Sequence, residues 1–140
     1  PAFHDYEKGL AYAKQVNKPV LIDFTGNVCT NCRLMEDNVW SDPAILSILK
    51  NDVVLVSLIC DSREKLPQSE VFESKYSGRE ITTVGEKWGD FELGRYNSNA
   101  RPYYVLLNTD ESKLSEPVGY TPDIEEYRNW LQSGLANFKK

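Results

Sequence analysis

The 140 residues are 41% hydrophobic and 26% charged, a balance that predicts one globular domain over 1–140 with a sizeable core and excludes a disordered or fibrous chain. A formal net charge of −5 excludes nucleic acid and anionic membrane surfaces as partners, since both require basic patches. Three cysteines cannot form a disulfide framework, and the longest apolar runs, around Val53 to Cys60 and Tyr103 to Leu107, are too short to span a bilayer.

Residues His4 to Asn17 are predicted to form a helix, because Phe3, Tyr6, Leu10, Ala13 and Val16 recur at helical spacing before Pro19. Val20 to Phe24 is an apolar run of strand length. After a short polar turn a second helical pattern opens at Cys29 and continues through Met35 and Val39 to about Trp40. Ser41-Asp42-Pro43 then breaks and restarts the chain, a capping side chain followed by Pro at the first helical position, ahead of a helix over Ala44 to Leu49. Val53 to Cys60 is continuously apolar and β-branched, as strands buried on both faces are. Strands alternating with helices predict an α/β fold with a parallel core.

From Asp61 to Thr83 the sequence turns polar and irregular, with Val71, Phe72, Tyr76 and Ile81 flanking a hairpin-like Ser77-Gly78. This stretch, about residues 61–83, exceeds what joining a strand to a helix requires, so it is expected to be a partner-facing insertion; a tolerated surface loop is the alternative. Val84 to Tyr96 places Trp88, Phe91 and Leu93 on a helical pattern interrupted by Gly85, Gly89 and Gly94. The loop Asn97 to Arg101 leads into Pro102 and a strand over Tyr103 to Leu107. Asn108-Thr109-Asp110-Glu111 turns the chain toward a last strand near Pro117 to Tyr120, which Pro117 marks as an edge. Thr121-Pro122 opens a final amphipathic helix with Ile124, Tyr127, Trp130, Leu131, Leu135 and Phe138 inward. The chain starts without Met and shows no signal peptide, so it reads as a mature or excised domain.

The chemistry is carried by Cys29 and Cys32 in the first turn of the second helix. Unpaired N–H groups and the positive end of the helix dipole converge there and favour a thiolate on Cys29, which can attack a disulfide near neutral pH. Cys32, one turn on, can attack the resulting mixed disulfide and release the product. Asp23 sits inside an apolar strand, where a carboxylate must find a partner or shift its pKa upward, as proton-transfer groups do; the alternative is a strand-end residue facing water.

This element order resembles the thioredoxin fold over essentially the whole chain: α/β, a central mixed β-sheet flanked by helices, with an insertion before the helix and strand around the cis-Pro. More narrowly, Lys18-Pro19-Val20-Leu21-Ile22-Asp23-Phe24 with Cys29-Thr30-Asn31-Cys32-Arg33-Leu34-Met35-Glu36 resembles the C-terminal thioredoxin-like domain of bacterial transmembrane thiol:disulfide interchange proteins of the DsbD type. Arg101-Pro102-Tyr103-Tyr104-Val105-Leu106-Leu107 and the long segment before it are similar to the Bacteroidetes version. The resemblance implies that Cys29 attacks, Cys32 resolves, Asp23 carries the proton of Cys32, and Glu36 is a second acid beside the pair. It also implies that Pro102 is the cis-proline facing the disulfide and that the Arg101 backbone pairs with an extended substrate. Val28, Thr30 and Asn31 complete the substrate-facing set and depart from thioredoxin itself, which has Trp and Gly-Pro at these positions; Arg101 replaces a small or apolar residue. No cofactor beyond a redox-active Cys29–Cys32 disulfide is implied. The expected partners are protein disulfides and dithiols and a membrane-embedded dithiol domain as electron donor, in the periplasm, for a monomeric domain.

The bland readings are specific. Cys29, Cys32, Cys60 and His4 formally complete a zinc set, but Cys60 and His4 are isolated rather than paired knuckles, and no metal is expected. Cys60 reads as an inert core thiol, His4 as a surface residue, Glu36 as a solvated helix position, and Arg101 as a surface charge or a cation near the thiolate. Trp40, Trp88 and Trp130 read as core or lid. In function, the rivals of a disulfide reductase are a non-catalytic binding or chaperone module with a structural disulfide, and a free-standing thioredoxin-like reductase. The helix-terminal position predicts that brief iodoacetamide treatment of the reduced protein near neutral pH labels Cys29 first. Faster labelling of Cys60 in peptide maps overturns that assignment.

Overall fold

The computed structural model describes residues 2–138. Its centre is β1 (Val20–Thr25), buried along its whole length. β1 lies between β2 (Val54–Ile59), parallel to it, and β5 (Tyr103–Leu107), antiparallel to it, so the sheet is mixed. The parallel step is made by α2 (Thr30–Asn38) and α3 (Pro43–Asn51), since parallel neighbours need a crossover. Asp42 caps α3 by accepting from the N–H groups of Ala44 and Ile45, ahead of Pro43 in the first turn.

Alternation along β1 divides the core. Val20, Ile22 and Phe24 pack with Tyr6, Leu10 and Trp88 under α1 (Tyr6–Val16) and α4 (Val84–Tyr96). Leu21 packs with Met35, Ile45, Tyr127 and Leu131 under α2, α3 and α5 (Ile124–Ala136). Asp23 and Thr25 therefore face the α2 side. Trp40 and Trp130 border this second core and donate to Tyr127 Oη and Glu116 O, whereas Trp88 lies inside the first.

Four sequence expectations are corrected. Phe3 is not helical: α1 starts after its cap Asp5, and Phe3 bridges the outer side of β2, donating N–H to Leu55 O and accepting from Ser57 N. On α4 the buried positions are Gly85, Trp88 and Glu92, so Leu93 turns outward and an acid takes the inward place. The predicted strand at Pro117 to Tyr120 does not form. Instead isolated bridges pair Leu107 with Lys113 and Tyr104 with Val118, so five residues of the returning chain cover a step of three on β5. The extra residues bulge where Pro117 has no N–H to give. On α5, Tyr127, Leu131 and Gly134 are buried, while Ile124, the first residue after the cap Asp123, is exposed.

Between β2 and α4 the chain makes a short 3-10 turn (Gln68–Glu70) and a two-stranded hairpin, β3 (Phe72–Glu73) and β4 (Glu80–Ile81), whose turn contains Gly78 at φ 73°. Ser74 Oγ bonds Asp90 on α4, and the Tyr76 ring lies over Gly94. The glycines that interrupt the α4 pattern are thus points of close approach. A Cβ on Gly85 would stand 2.6 Å from the main chain of Ser62, which is fixed by its own hydrogen bonds. Gly85→Ala is expected to destabilise the fold by about 1–3 kcal/mol. Gly94→Ala instead meets first the exposed Tyr76 ring, which can swing away, and gains up to about 1 kcal/mol of helix propensity. Denaturant unfolding of the two variants checks the contrast; equal losses would refute it.

Candidate active site

β1 delivers the chain into the turn Gly26–Val28, and α2 begins immediately afterwards with Cys29 as its N-cap. Serine or threonine usually fills this role by offering an oxygen to the backbone N–H of the third helical residue. Here the offering atom is sulfur: Cys29 Sγ accepts from Cys32 N at 3.2 Å. The two sulfurs are joined, with the Cα atoms 5.3 Å apart. Cys29 is half-buried and Cys32 buried, while Val28, Thr30 and Asn31 around Cys29 are exposed, Val28 at 94%. Of the two cysteines, Cys29 is therefore the one more open to solvent.

Asp23 lies on the same side of β1 as α2 and is 3% exposed. In register it stands between Ser57 on β2 and Tyr104 on β5, and Ser57 Oγ donates to its Oδ2 at 3.1 Å. Burial pushes its carboxyl up to about 7; Ser57 pulls back, the Glu36 charge pushes further up and Arg33 pulls down. An acid held near neutrality inside the core can both take and return a proton at ordinary pH.

Glu36 is not a free acid beside the pair. It accepts from Arg33 at 2.9 Å with both side chains substantially exposed, and Arg33 also reaches Thr25 Oγ1. The pair lies over the end of β1, close enough for both charges to act on Asp23. Arg101 is exposed, as a surface charge, but also paired: its Nη2 lies 3.4 Å from Oε1 of Glu92, whose side chain is wholly buried. Pro102 is buried, and the Arg101–Pro102 peptide is cis.

Cys60 follows β2, half-buried, with its thiol pushed up to about 11 by burial, which favours the inert neutral form. His4 is exposed and its Nδ1 meets Ser57 O at 3.0 Å. Among the described residues no cluster of His, Cys, Asp and Glu is arranged to hold a metal ion, and no helix is long and apolar enough to cross a membrane.

Sequence reasoning missed Ser57, Asp61 and Glu92. Ser57 is the hydroxyl in an otherwise apolar run, which was a usable signal. Asp61 holds the turn before Cys29, its two oxygens accepting from Asn27 N at 2.7 Å and Val28 N at 2.9 Å, and these bonds hold its carboxyl below the usual range. Gly26 lies against that carboxylate, where a Cβ would come within 3.1 Å.

A thioredoxin-like family model matches residues 2–81. A stretch of 51 residues, 36% of the chain, is 39% identical to the thiol:disulfide interchange protein DsbD of Vibrio vulnificus, and spans only 9% of that relative's length. Among solved structures, a DsbH oxidoreductase superposes with a TM-score of 0.68 at 18% identity, covering 96% of this chain and 83% of its own. The oxidised C-terminal domain of Neisseria meningitidis DsbD superposes at 0.62 and 15% identity, covering 96% of this chain and 99% of its own. These superpositions establish the thioredoxin fold.

Asp23 yields a pH prediction. Its ordinary value of 3.8 rises to about 7 in the folded chain, so between those values the folded state holds more protons than the unfolded one, and stability falls as pH rises across that window. Asp23→Asn is therefore expected to stabilise the oxidised protein at about pH 8, by at most roughly 4 kcal/mol, with the gain shrinking toward about pH 4. Urea unfolding at the two pH values measures it. A gain independent of pH refutes the assignment.

Proposed function

The chain belongs to the thioredoxin-like family, and from that premise we propose that this thiol:disulfide oxidoreductase domain works as a protein-disulfide reductant. The observation that carries the reading is the Cys29–Cys32 disulfide across the first turn of α2, with Asp23 buried on the α2 side of the strand that leads into it.

In the reduced protein the Cys29 thiolate attacks one sulfur of a substrate disulfide. That bond breaks, the departing sulfur leaves as a thiolate and takes a proton, and Cys29 is left in a mixed disulfide. Cys32 then gives its proton to the Asp23 carboxylate and attacks Cys29 Sγ. The bond from Cys29 to the substrate breaks, and the second substrate sulfur leaves and is protonated in turn. Two electrons and two protons have passed to the substrate, and the Cys29–Cys32 disulfide has formed. A dithiol donor restores the pair by the same exchange in reverse. Val28, Thr30 and Asn31 offer the exposed rim on which a partner docks, and the backbone at Arg101 and buried Pro102 offers the edge along which an extended substrate segment pairs.

Direction follows from charge. A dithiol is strongly oxidising when its thiolate is heavily stabilised, because that stabilises the reduced form. Here Arg33 is committed to Glu36 and Arg101 to Glu92, while the Asp61 carboxylate holds Val28 N directly before Cys29 and Asp23 is buried on the α2 side of β1. The similarity to DsbD supports a membrane-embedded dithiol domain as donor, a periplasmic setting and a protein disulfide as acceptor; the segment 61–83, with its hairpin, is the element we assign to partner contact.

Equilibration in graded glutathione or dithiothreitol buffers is expected to give a midpoint nearer about −270 mV than −120 mV, and a value more positive than about −180 mV overturns the reductant reading. Asp23→Asn is expected to slow release of the mixed disulfide in stopped-flow reduction; a rate unchanged over about pH 6 to 9 reduces Asp23 to a structural role.

A further inference from the structure

Arg101, next to Pro102, is the cation of the loop that leads into β5, and it is paired with a residue on the preceding helix α4. Its Nη2 lies 3.4 Å from Glu92 Oε1, and its Nη1 donates to Asn99 O at 3.2 Å. Glu92 is itself anchored: Ser98 Oγ donates to its Oε2 at 2.8 Å, its side chain is wholly buried, and Oε1 has no hydrogen-bond partner among the described residues. Gly89, one turn before Glu92, leaves the space the guanidinium occupies, since a Cβ there would stand 3.1 Å from Nη2. The guanidinium charge also acts on the Cys60 thiol and on Asp61, the residue whose carboxylate holds Val28 N, directly before Cys29. The cation is therefore held on α4, while its charge reaches Asp61, which grips the turn before Cys29.

We propose that Glu92 is a positioning residue for the redox pair: by retaining the Arg101 guanidinium against α4 it withholds that cation from the Cys29 sulfur. A long, flexible Arg side chain released from a buried anchor moves toward uncompensated negative charge, and the Cys29 thiolate carries such charge only in the reduced protein. A cation delivered there stabilises the reduced form and makes the pair a weaker reductant. Glu92 thus serves the reductant reading above and rests on it for its purpose. Burial pushes the Glu92 carboxyl up to about 7, with Ser98 and Arg101 pulling back, so the comparison belongs at a pH where the carboxylate is ionised.

The test is a double-mutant cycle on the whole domain, with the exchange equilibrium against glutathione read at about pH 8 together with the pH dependence of Cys29 alkylation. Glu92→Gln, which keeps the shape of the buried side chain, is expected to shift the equilibrium toward the reduced form by roughly three- to tenfold, tenfold being about 30 mV more positive, and to move the alkylation profile to lower pH. Arg101→Gln in the wild-type background is expected to change the equilibrium by less than about twofold, whereas in the Glu92→Gln background it reverses the shift. Ser98→Ala, which removes one anchor of the carboxylate without touching its charge, is expected to give a smaller shift of the same sign that Arg101→Gln also abolishes, and it decides the matter should Glu92→Gln fail to fold. The proposal is overturned if Glu92→Gln leaves the equilibrium unchanged, or if Arg101→Gln has the same effect in both backgrounds. A wild-type midpoint more positive than about −180 mV overturns the reductant reading instead, and the differences among variants remain a separate answer.

Discussion

Everything at this site depends on a helix that begins on a sulfur. Because Cys29 Sγ takes the N–H of Cys32, the same contact that starts α2 also fixes the distance and orientation of the two sulfurs. The donor that caps a neutral sulfur is a better partner for a thiolate, so the hydrogen bond that organises the oxidised state also favours charge on Cys29 once the disulfide is opened. The turn that feeds this cap is in turn gripped by Asp61, so the position of Cys29 is set jointly by the ends of two parallel strands, which already run in register from Val20 and Val54.

Two carboxyls are buried in this small core, and they are solved differently. Asp23 is given a hydroxyl and remains able to change its protonation state; Glu92 is given a hydroxyl and a guanidinium, a pair in which removing either member leaves the other uncompensated. Both have raised values in the folded chain, so both oppose folding as pH rises toward neutrality. A core optimised for stability alone would hold apolar residues at these positions, as it does at Leu21 and Trp88 beside them. The destabilisation is concentrated on the strand that leads into the cysteines and on the helix that faces Arg101.

The strands β1, β2 and β5, the cysteine-led helix and the Ser77-Gly78 hairpin were legible in the sequence because each is written in local periodicity or turn chemistry. What was not legible depends on partners distant along the chain. Leu93 and Glu92 compete for the same inward angle on α4, and hydrophobicity alone selects Leu93; the buried stripe is set by the glycines, which admit Ser62 at one end and Tyr76 at the other. The role of Asp61 requires knowing that the end of β2 lies beside the turn after β1. Arg101 is exposed, but its pairing with Glu92 was hidden because an acid on an α4 pattern gives no sign of being buried. Phe3 carried an apolar residue at helical spacing, but its main chain was needed by β2.

The sheet is finished on both sides by fragments rather than strands. Along β2 a single residue, Phe3, takes two of the outward-facing groups, and along β5 the returning chain touches at two separate bridges with a bulge between them. A fragment of this kind satisfies the outermost strand without creating a new one of useful length, so neither side offers the straight ladder that a second copy or an unfolded neighbour would need to extend the sheet. The domain is thereby protected from indiscriminate strand addition, so an extended polypeptide pairing at the backbone we assign to substrate, Arg101 and Pro102, meets no rival ladder on either side of the sheet.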